Sequence, residues 1–125
     1  MTKLNVGIAS YEEMKSWTKA VASGKVTPGR DAPKIWFTSL KAAANLFTDD
    51  NRQLLKIIAE QHPASIAELE QLTQRKSSNL SRTLKKLEQY GLVRLVEGAS
   101  PNMRGRKPIR PEVLVDVVNV SFTLV

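Results

Sequence analysis

The sequence predicts an α+β fold, mainly α with a small β-sheet, and this prediction rests on three observations. Leu80, Leu84 and Leu87 recur at the spacing that places side chains on one face of a helix. Serine or threonine residues that can cap a helix stand just before several such amphipathic stretches. Apolar and polar residues alternate at 4–8 and at 118–124, which is typical of strands.

The N-terminal part predicts a strand, a helix and a loop. The alternation at residues 4–8 predicts the strand. Ser10 and Glu13 form a Ser-x-x-Glu capping box, which predicts the start of a helix. The apolar stripe of that helix consists of Met14, Trp17 and Val21. Residues 25–34 contain two prolines and one glycine, so we expect a loop there.

Two helices are predicted in the middle of the chain, after a short extended segment at residues 35–37. Ser39 can cap the first helix, whose shared apolar face is Leu40, Ala44 and Phe47. Thr48 can cap the second, and acidic residues follow it in the first turn, where the helix dipole stabilises them. The second helix has a broad apolar arc, which indicates that it is central and buried. The residues of this arc are Leu54, Leu55, Ile57 and Ile58. His62-Pro63 ends it.

A helix-turn-helix is predicted next. Ser65 and Glu68 form a second capping box, and the helix they open has the apolar face Ile66, Leu69 and Leu72. Residues 73–76 are polar and predict the turn. Either Ser77 or Ser78 can cap the second helix, predicted at residues 77–90. Gly91 stands where a helix C-terminal cap belongs, because glycine adopts the left-handed conformation at little cost.

A strand, a basic loop and a second strand are predicted after Gly91. Residues 92–96 and 108–115 are rich in β-formers, and residues 97–107 between them are rich in turn-forming and basic residues. This arrangement after a helix-turn-helix predicts a wing. Arg104-Gly105-Arg106 near its tip resembles the Arg-Gly-Arg core of an AT-hook, whose arginines enter narrow A·T minor grooves.

The positive charge of the chain is concentrated in this same region. Residues 73–111 hold ten Lys and Arg against Glu88 and Glu97, a net charge of +8. The remaining residues hold nine basic and ten acidic side chains, a net charge of −1, so the region accounts for the whole excess of +7. Positive charge confined to one segment predicts a polyanionic partner.

A leucine-anchored helix with Asn, Ser, Arg and Lys on its outer face suits the DNA major groove. Asn79 and Arg82 are the better candidates for base contacts, because Asn can pair bidentately with adenine and Arg with guanine. The predicted DNA-binding residues are Arg75, Lys76, Ser77, Ser78, Asn79, Ser81, Arg82, Lys85, Lys86, Arg104, Arg106 and Lys107. Among the helix and turn residues, those expected to hold phosphates are Arg75, Lys76, Lys85 and Lys86. Arg94 and Arg110 fit DNA contact and an ordinary strand surface equally well. The alternative for the whole helix face is a solvated surface.

No enzyme, cofactor or metal site is predicted. His62 is the only histidine, and the sequence indicates no partner that would make it a catalytic base. Asp49 and Asp50 are explained by the helix dipole, and there is no glycine-rich phosphate-binding loop. The chain has neither cysteine nor an apolar run near the ~20 residues that span a bilayer. We therefore expect a cytoplasmic protein, associated with the nucleoid when bound to DNA, and no membrane partner.

The order of these motifs resembles the MarR-like winged-helix regulators of bacteria and archaea. The resemblance rests on Ser-Ile-x-Glu-Leu from Ser65, Ser-Asn-Leu-Ser-Arg-x-Leu-x-x-Leu from Ser78, Gly-Leu-Val from Gly91, and the basic wing. More narrowly, the chain is similar to small predicted DNA-binding regulators of the antitoxin type, some encoded beside toxin genes. In that group a strand and a Ser-x-x-Glu helix precede a Phe-x-Ser helix and a Thr-x-x-x-Arg helix. The matching segments here are Leu4–Glu13, Phe37–Ser39 and Thr48–Arg52.

The resemblance implies a homodimer that reads a near-palindromic site, often in its own promoter. Residues 1–34 are predicted as a strand-helix extension for dimerisation, residues 35–116 as a winged helix-turn-helix DNA-binding domain, and residues 117–125 as a strand in a dimer or sheet contact. The expected function is that of a sequence-specific regulator of transcription, a repressor or autoregulator, that binds double-stranded DNA through helix 77–90 and wing 97–108. The alternative is an antitoxin, or another protein-interaction subunit, that neutralises a partner toxin and binds DNA for autoregulation. Nonspecific architectural binding is a third class, and it needs only the charge.

Overall fold

The computed structural model describes residues 2–97 and 108–124. The described residues form five helices: α1 (Tyr11–Ala22), α2 (Leu40–Leu46), α3 (Asp49–Gln61), α4 (Ile66–Thr73) and α5 (Ser77–Gln89). They also form five strands: β1 (Lys3–Ile8), β2 (Ile35–Phe37), β3 (Val93–Glu97), β4 (Ile109–Val113) and β5 (Val117–Phe122). The α+β class predicted from sequence is confirmed.

The chain divides into two compact units. The first comprises residues 1–47 and 116–125, and the second comprises residues 48–115. The predicted DNA-binding domain, residues 35–116, instead includes residues 35–47. The structure groups them with the N-terminal strand, because β2 pairs with β1 in one sheet. That pairing joins segments that are distant in sequence, so no local sequence pattern predicts it.

The first unit is built on a three-stranded parallel sheet in the order β2-β1-β5. Val6 of β1 is aligned with Ile35 on one side and with Val120 on the other. Leu4, Val6 and Ile8 are all buried, as expected for the middle strand of a small parallel sheet. Both edges of β1 are therefore occupied within the described chain, whereas β2 and β5 are the edge strands.

Helix α1 begins with the predicted capping box. Ser10 Oγ accepts a hydrogen bond from the Glu13 N–H at 3.2 Å, and Glu13 Oε1 accepts one from the Ser10 N–H at 3.1 Å. These bonds lower the pKa of Glu13, because both favour the charged carboxylate. Trp17 of α1 lies near Trp36 of β2, with ring centroids 6.4 Å apart, so the predicted apolar stripe meets the sheet.

Helix α2 buries a different face from the predicted one. The predicted shared apolar face is Leu40, Ala44 and Phe47, and this prediction is wrong for the first two residues, which are exposed. The structure buries Ala43 and Leu46 instead. The helix has only seven residues, so two leucines near opposite ends compete for the core side, and tertiary packing decides between them. Ser39 caps the helix as predicted.

The second unit consists of α3, α4, α5 and the antiparallel pair β3–β4. Its core is apolar and contains Leu54, Ile58, Leu69, Leu80, Leu84, Leu87, Leu92 and Val93, each at most 2% exposed. Leu72, which was predicted to share the apolar face of α4, is 42% exposed, because Leu69 alone fills the core side of that short helix. Leu55 and Ile57 are half-buried, so α3 is less enclosed than its apolar arc indicated.

The caps of α4 and α5 depart from the prediction in detail. Ser65 Oγ accepts a hydrogen bond from the Glu68 N–H at 3.1 Å, but Glu68 Oε2 bonds the N–H of Ala64 at 3.2 Å rather than that of Ser65. The glutamate reaches one residue further back than a capping box requires. At α5 the N-cap is Lys76, without a side-chain bond, so the prediction of Ser77 or Ser78 is wrong. Lys76 has the extended conformation that an N-cap needs, and both serines lie inside the helix.

Helix α5 ends as predicted. Gly91 has φ +79°, its N–H donates to the Glu88 carbonyl, and the Leu92 N–H donates to the Leu87 carbonyl. These two bonds form a Schellman motif, in which glycine at the left-handed position closes the helix. The chain then enters β3, where the Leu95 N–H donates a hydrogen bond to the Glu88 carboxylate at 2.8 Å. The last turn of α5 is thus bonded directly to β3.

Candidate nucleic-acid interface

Helix α5 is held in the second unit by one apolar face. Leu80, Leu84 and Leu87 are each 0% exposed. At 100° per residue, Arg82 and Lys85 project on the opposite side, and both are exposed. The sequence folds this way because leucines at i, i+4 and i+7 bury one stripe while polar residues occupy the rest of the circumference.

The cations on the outer side of α5 have no acidic partner among residues 2–97 and 108–124. Lys76, Arg82, Lys85 and Lys86 are exposed and form no ion pair in that part of the chain. Ser77 and Ser78 are exposed beside them. These positive charges are therefore not neutralised by the unit that presents them, and they produce a positive surface along the helix.

Arg75, in the turn before α5, contacts Asn79 on one flank of the helix. Arg75 Nε donates a hydrogen bond to Asn79 Oδ1 at 2.8 Å, and Arg75 Nη2 donates to Thr83 Oγ1 at 3.1 Å. Arg75 is half-buried, whereas Asn79 is exposed. Ser81, on the other flank, is half-buried. The two side chains that the sequence assigned to separate roles thus form one hydrogen-bonded pair.

Strands β3 and β4 carry a second group of charges. Arg94 Nη2 and Arg110 Nη2 approach the two carboxylate oxygens of Glu112 at 2.6 and 2.8 Å. The hydrogen bond from Arg94 is the main cause that lowers the pKa of Glu112, and Arg110 contributes to the same direction. Because one carboxylate faces two guanidinium groups, this cluster retains a smaller positive charge than the sequence alone suggests.

The remaining predicted site residues are Arg104, Arg106 and Lys107. They lie outside the residues that the structure describes, as does the rest of segment 98–107. The described part of the predicted interface is therefore α5, the turn before it and the strands β3 and β4.

Neither a metal-binding cluster nor a membrane-spanning helix is present among residues 2–97 and 108–124. Within them, no three His, Cys, Asp or Glu side chains gather closely enough to hold a metal ion. No helix between residues 2 and 97 or between 108 and 124 is both long and apolar enough to cross a lipid bilayer.

Sequence reasoning missed three features of this region. It did not find the contact of Arg75 with Asn79 and Thr83, because Arg75 precedes the helix and the i, i+4 rule relates only residues within one helix. It did not pair Arg94 and Arg110 with Glu112, which lies one residue beyond the basic segment 73–111. It also had no signal for the bond of Glu88 to the backbone of Leu95, because that bond depends on how the strand leaves the helix.

Comparison with protein families gives one match. The model of the HVO_A0114 family matches residues 46–120, which is 75 of the 125 residues. The matched segment begins at the last residue of α2, contains the whole second unit and extends into β5. Neither a curated protein nor a solved structure is significantly similar to the chain. Because the matched segment covers more than half of the sequence, the protein belongs to the HVO_A0114 family.

Proposed function

We propose that the protein is a sequence-specific double-stranded DNA-binding regulator of transcription, with α5 as the recognition helix of a winged helix-turn-helix. The observation that supports this most is the outer face of α5, where Arg82, Lys85 and Lys86 are exposed without acidic partners in the described chain. A leucine-anchored helix that presents unpaired cations and short polar side chains has the chemistry of a major-groove reader.

The turn before α5 agrees with that proposal. Residues 74–76 separate α4 from α5, and Gln74 takes the left-handed conformation at φ +61°. Recognition helices contact base edges mainly through their N-terminal residues, and here that end presents Ser77, Ser78 and Asn79. The N-terminus of α5 has no side-chain cap, so its free N–H groups are available to a phosphate oxygen.

The wing of the proposed domain would consist of β3, β4 and the segment between them. Arg104, Arg106 and Lys107 are proposed to contact the minor groove or phosphates, on the basis of the sequence alone. Arg94 and Arg110 are assigned to the strand surface, because Glu112 bonds both of them. The wing contacts would add affinity mainly through charge.

Binding measurements with short duplexes test the proposal. Fluorescence anisotropy would compare the upstream region of the protein's own gene with a scrambled duplex at several salt concentrations. We expect a preference on the order of a thousandfold for the first duplex at physiological salt. Equal and salt-labile affinity for both duplexes would contradict sequence-specific binding.

Two substitutions on α5 separate base contacts from phosphate contacts. Arg82→Ala should reduce the preference for the specific duplex, whereas Lys85→Ala should weaken binding to all duplexes alike. Lys56→Ala is the matched control, because it removes an exposed lysine from α3 of the same unit. Loss of affinity in the Lys56 variant equal to that in the Lys85 variant would show that only net charge matters.

We also propose that a second copy of the chain pairs along β5. This edge strand contains no charged residue, and Val120 and Phe122 are 44% and 54% exposed. An uncharged edge strand can pair antiparallel with its own copy without like-charge repulsion. Val120→Lys should then give monomers in light scattering, whereas Lys3→Ala, a surface change on β1, should not. A dimer that persists in the Val120 variant would place the contact elsewhere.

The same exposed strand favours a second candidate function, that of an antitoxin or another protein-interaction subunit. In that case β5 would pair with a toxin chain and DNA binding would serve autoregulation. Co-expression with a toxin encoded next to the gene, followed by copurification of wild type and the Val120→Lys variant, tests this candidate. Copurification of the toxin with wild type but not with the variant would support it.

A further inference from the structure

The side chain of Arg75 is bound along α5 instead of extending into solvent. Its Nε and Nη2 donate to Asn79 Oδ1 and Thr83 Oγ1, at 2.8 and 3.1 Å. Asn79 and Thr83 lie one turn apart on the surface of α5, so the guanidinium extends from the turn before the helix across its first two turns. Its Nη1 is buried and has no hydrogen-bond partner among the described residues. A guanidinium held in this way is poorly placed to contact a phosphate.

The contact with Arg75 determines which way the Asn79 amide faces. A guanidinium group carries donors only, so the atom of Asn79 that faces it must be the amide oxygen and not the nitrogen. The amide NH₂ group is then directed away from Arg75, and no described residue bonds it. Because Asn79 is exposed near the start of α5, this NH₂ group is available to an external acceptor.

We propose that Arg75 is a positioning residue for sequence recognition, which fixes the Asn79 amide so that its NH₂ group meets an acceptor on a base edge. The inference rests on the DNA-binding function proposed above. A free asparagine can turn its amide and offer either the oxygen or the nitrogen to a base, whereas a fixed one offers the donor. Major-groove acceptors are purine N7, guanine O6 and thymine O4, and the donors are the amino groups of adenine and cytosine. A fixed donor therefore selects base pairs that place an acceptor at that point and disfavours those that place an amino group there.

The turn supports this placement of Arg75. Its backbone N–H donates to Thr73 Oγ1 at 3.3 Å, and the Thr73 hydroxyl donates to the Leu69 carbonyl at 2.8 Å. The backbone of Arg75 is thus bonded to the end of α4, while its side chain is bonded to α5. Ordering before binding reduces the entropy that must be lost in the complex, so the arrangement favours a preformed contact surface.

Selection from a randomised duplex library tests the proposal with wild type, Arg75→Ala, Asn79→Ala and the double variant. We expect both single variants to lose roughly tenfold in discrimination at the same base pair, and the double variant to lose no more than either. Lys76→Ala is the matched control, since it removes the neighbouring exposed cation. It should preserve every base preference. It should also make the slope of log affinity against log salt less steep by about one, the contribution of one phosphate contact.

The opposite pattern would overturn the proposal. If Arg75→Ala kept all base preferences and changed the salt slope as Lys76→Ala does, Arg75 would be a phosphate contact. If wild type itself selected no sequence, the proposed sequence-specific function would fail, and the positioning role with it. A sequence-selective wild type with an unchanged preference in Arg75→Ala would refute the positioning role alone. Circular dichroism would establish that each variant retains its helices.

An NMR measurement without DNA tests the geometry directly. The Nε–H proton of Arg75 should exchange with water more slowly than that of Arg82, which is exposed and has no partner in the described chain. In Asn79→Ala the Arg75 proton should exchange faster, while the Arg82 proton should not change. Equal exchange of both arginines in wild type would refute the hydrogen bond on which the proposal depends.

Discussion

Gly7→Ala is expected to destabilise the first unit, although alanine is normally the better residue in a strand. Gly7 is aligned with Trp36 on the neighbouring strand. A Cβ atom at Gly7 would lie 2.4 Å from Trp36 Cζ3, 2.5 Å from Cε3 and 3.0 Å from Pro33 Cγ. Carbon atoms pack at about 3.5–4.0 Å, so the indole ring must move by roughly 1 Å.

The expected cost combines two opposing effects. Overpacking of a well-filled site costs about 1–3 kcal/mol. Replacement of glycine in a regular element recovers about 0.5–1 kcal/mol, because alanine loses less conformational freedom on folding. Contacts of 2.4 and 2.5 Å place the overpacking cost in the upper part of its range, so we expect a net decrease of about 1–2 kcal/mol in the free energy of unfolding of the first unit.

Urea unfolding followed by tryptophan fluorescence measures this decrease. Trp17 and Trp36 are the two tryptophans of the chain, and both belong to the first unit, so the signal reports on that unit. With a slope of about 1 kcal/mol per molar urea, the midpoint should fall by about 1–2 M.

Trp36→Val supplies the control, because valine suits a strand but lacks the ring atoms that the new Cβ would meet. In that background only the 3.0 Å contact with Pro33 Cγ remains, so Gly7→Ala should cost much less stability, and Trp17 still reports unfolding. An equal loss of stability in both backgrounds would refute the reasoning, since the cost could not then come from the indole ring.

Three further predictions concern the second unit. Leu84→Ala should lower the free energy of unfolding by about 2–5 kcal/mol, because it truncates a fully buried side chain. Far-UV circular dichroism during unfolding measures the change, and an effect below ~1 kcal/mol would mean that Leu84 does not anchor α5. Glu88→Ala should speed hydrogen exchange at the Leu95 amide, whose acceptor it removes, with exchange at Leu92 as the internal reference. The pKa of Glu112 is lowered by its bond from Arg94, so its stabilising contribution is present above the ordinary glutamate pKa and is lost as pH falls through the lowered value. Glu112→Gln should therefore flatten the acid-induced loss of stability below the ordinary glutamate pKa, and an unchanged pH profile would contradict that assignment.

Local patterns predicted the elements of this fold well. The helix at residues 77–90 corresponds to α5 at Ser77–Gln89, and the glycine expected at its end has the left-handed conformation. The capping box at Ser10 forms both of its expected bonds. These predictions are correct because the features depend on interactions within one or two helical turns, where both interacting residues lie close together in the sequence.

Patterns were weaker where more than one solution satisfied them. In α2 the choice between Leu40 and Leu46 as the core residue depended on which side of a short helix met the sheet. At the start of α5 two serines could have been the cap, but the backbone turned helical before either, which left Lys76 in that position. Both errors concern a shift of one or a few residues, which local propensity does not resolve.

By itself, the sequence determined the α+β class, the order of helices and strands, and the concentration of positive charge around α5, because periodicity, capping residues and net charge are local properties. Only the tertiary structure decided that β1 lies between β2 and β5, that residues 35–47 belong with the N-terminal strand, and that Glu112 bonds two arginines. It also decided that Arg75 bonds Asn79 and Thr83. These outcomes depend on which surfaces meet when the chain closes on itself, and pairings between distant segments leave no periodic trace in the sequence.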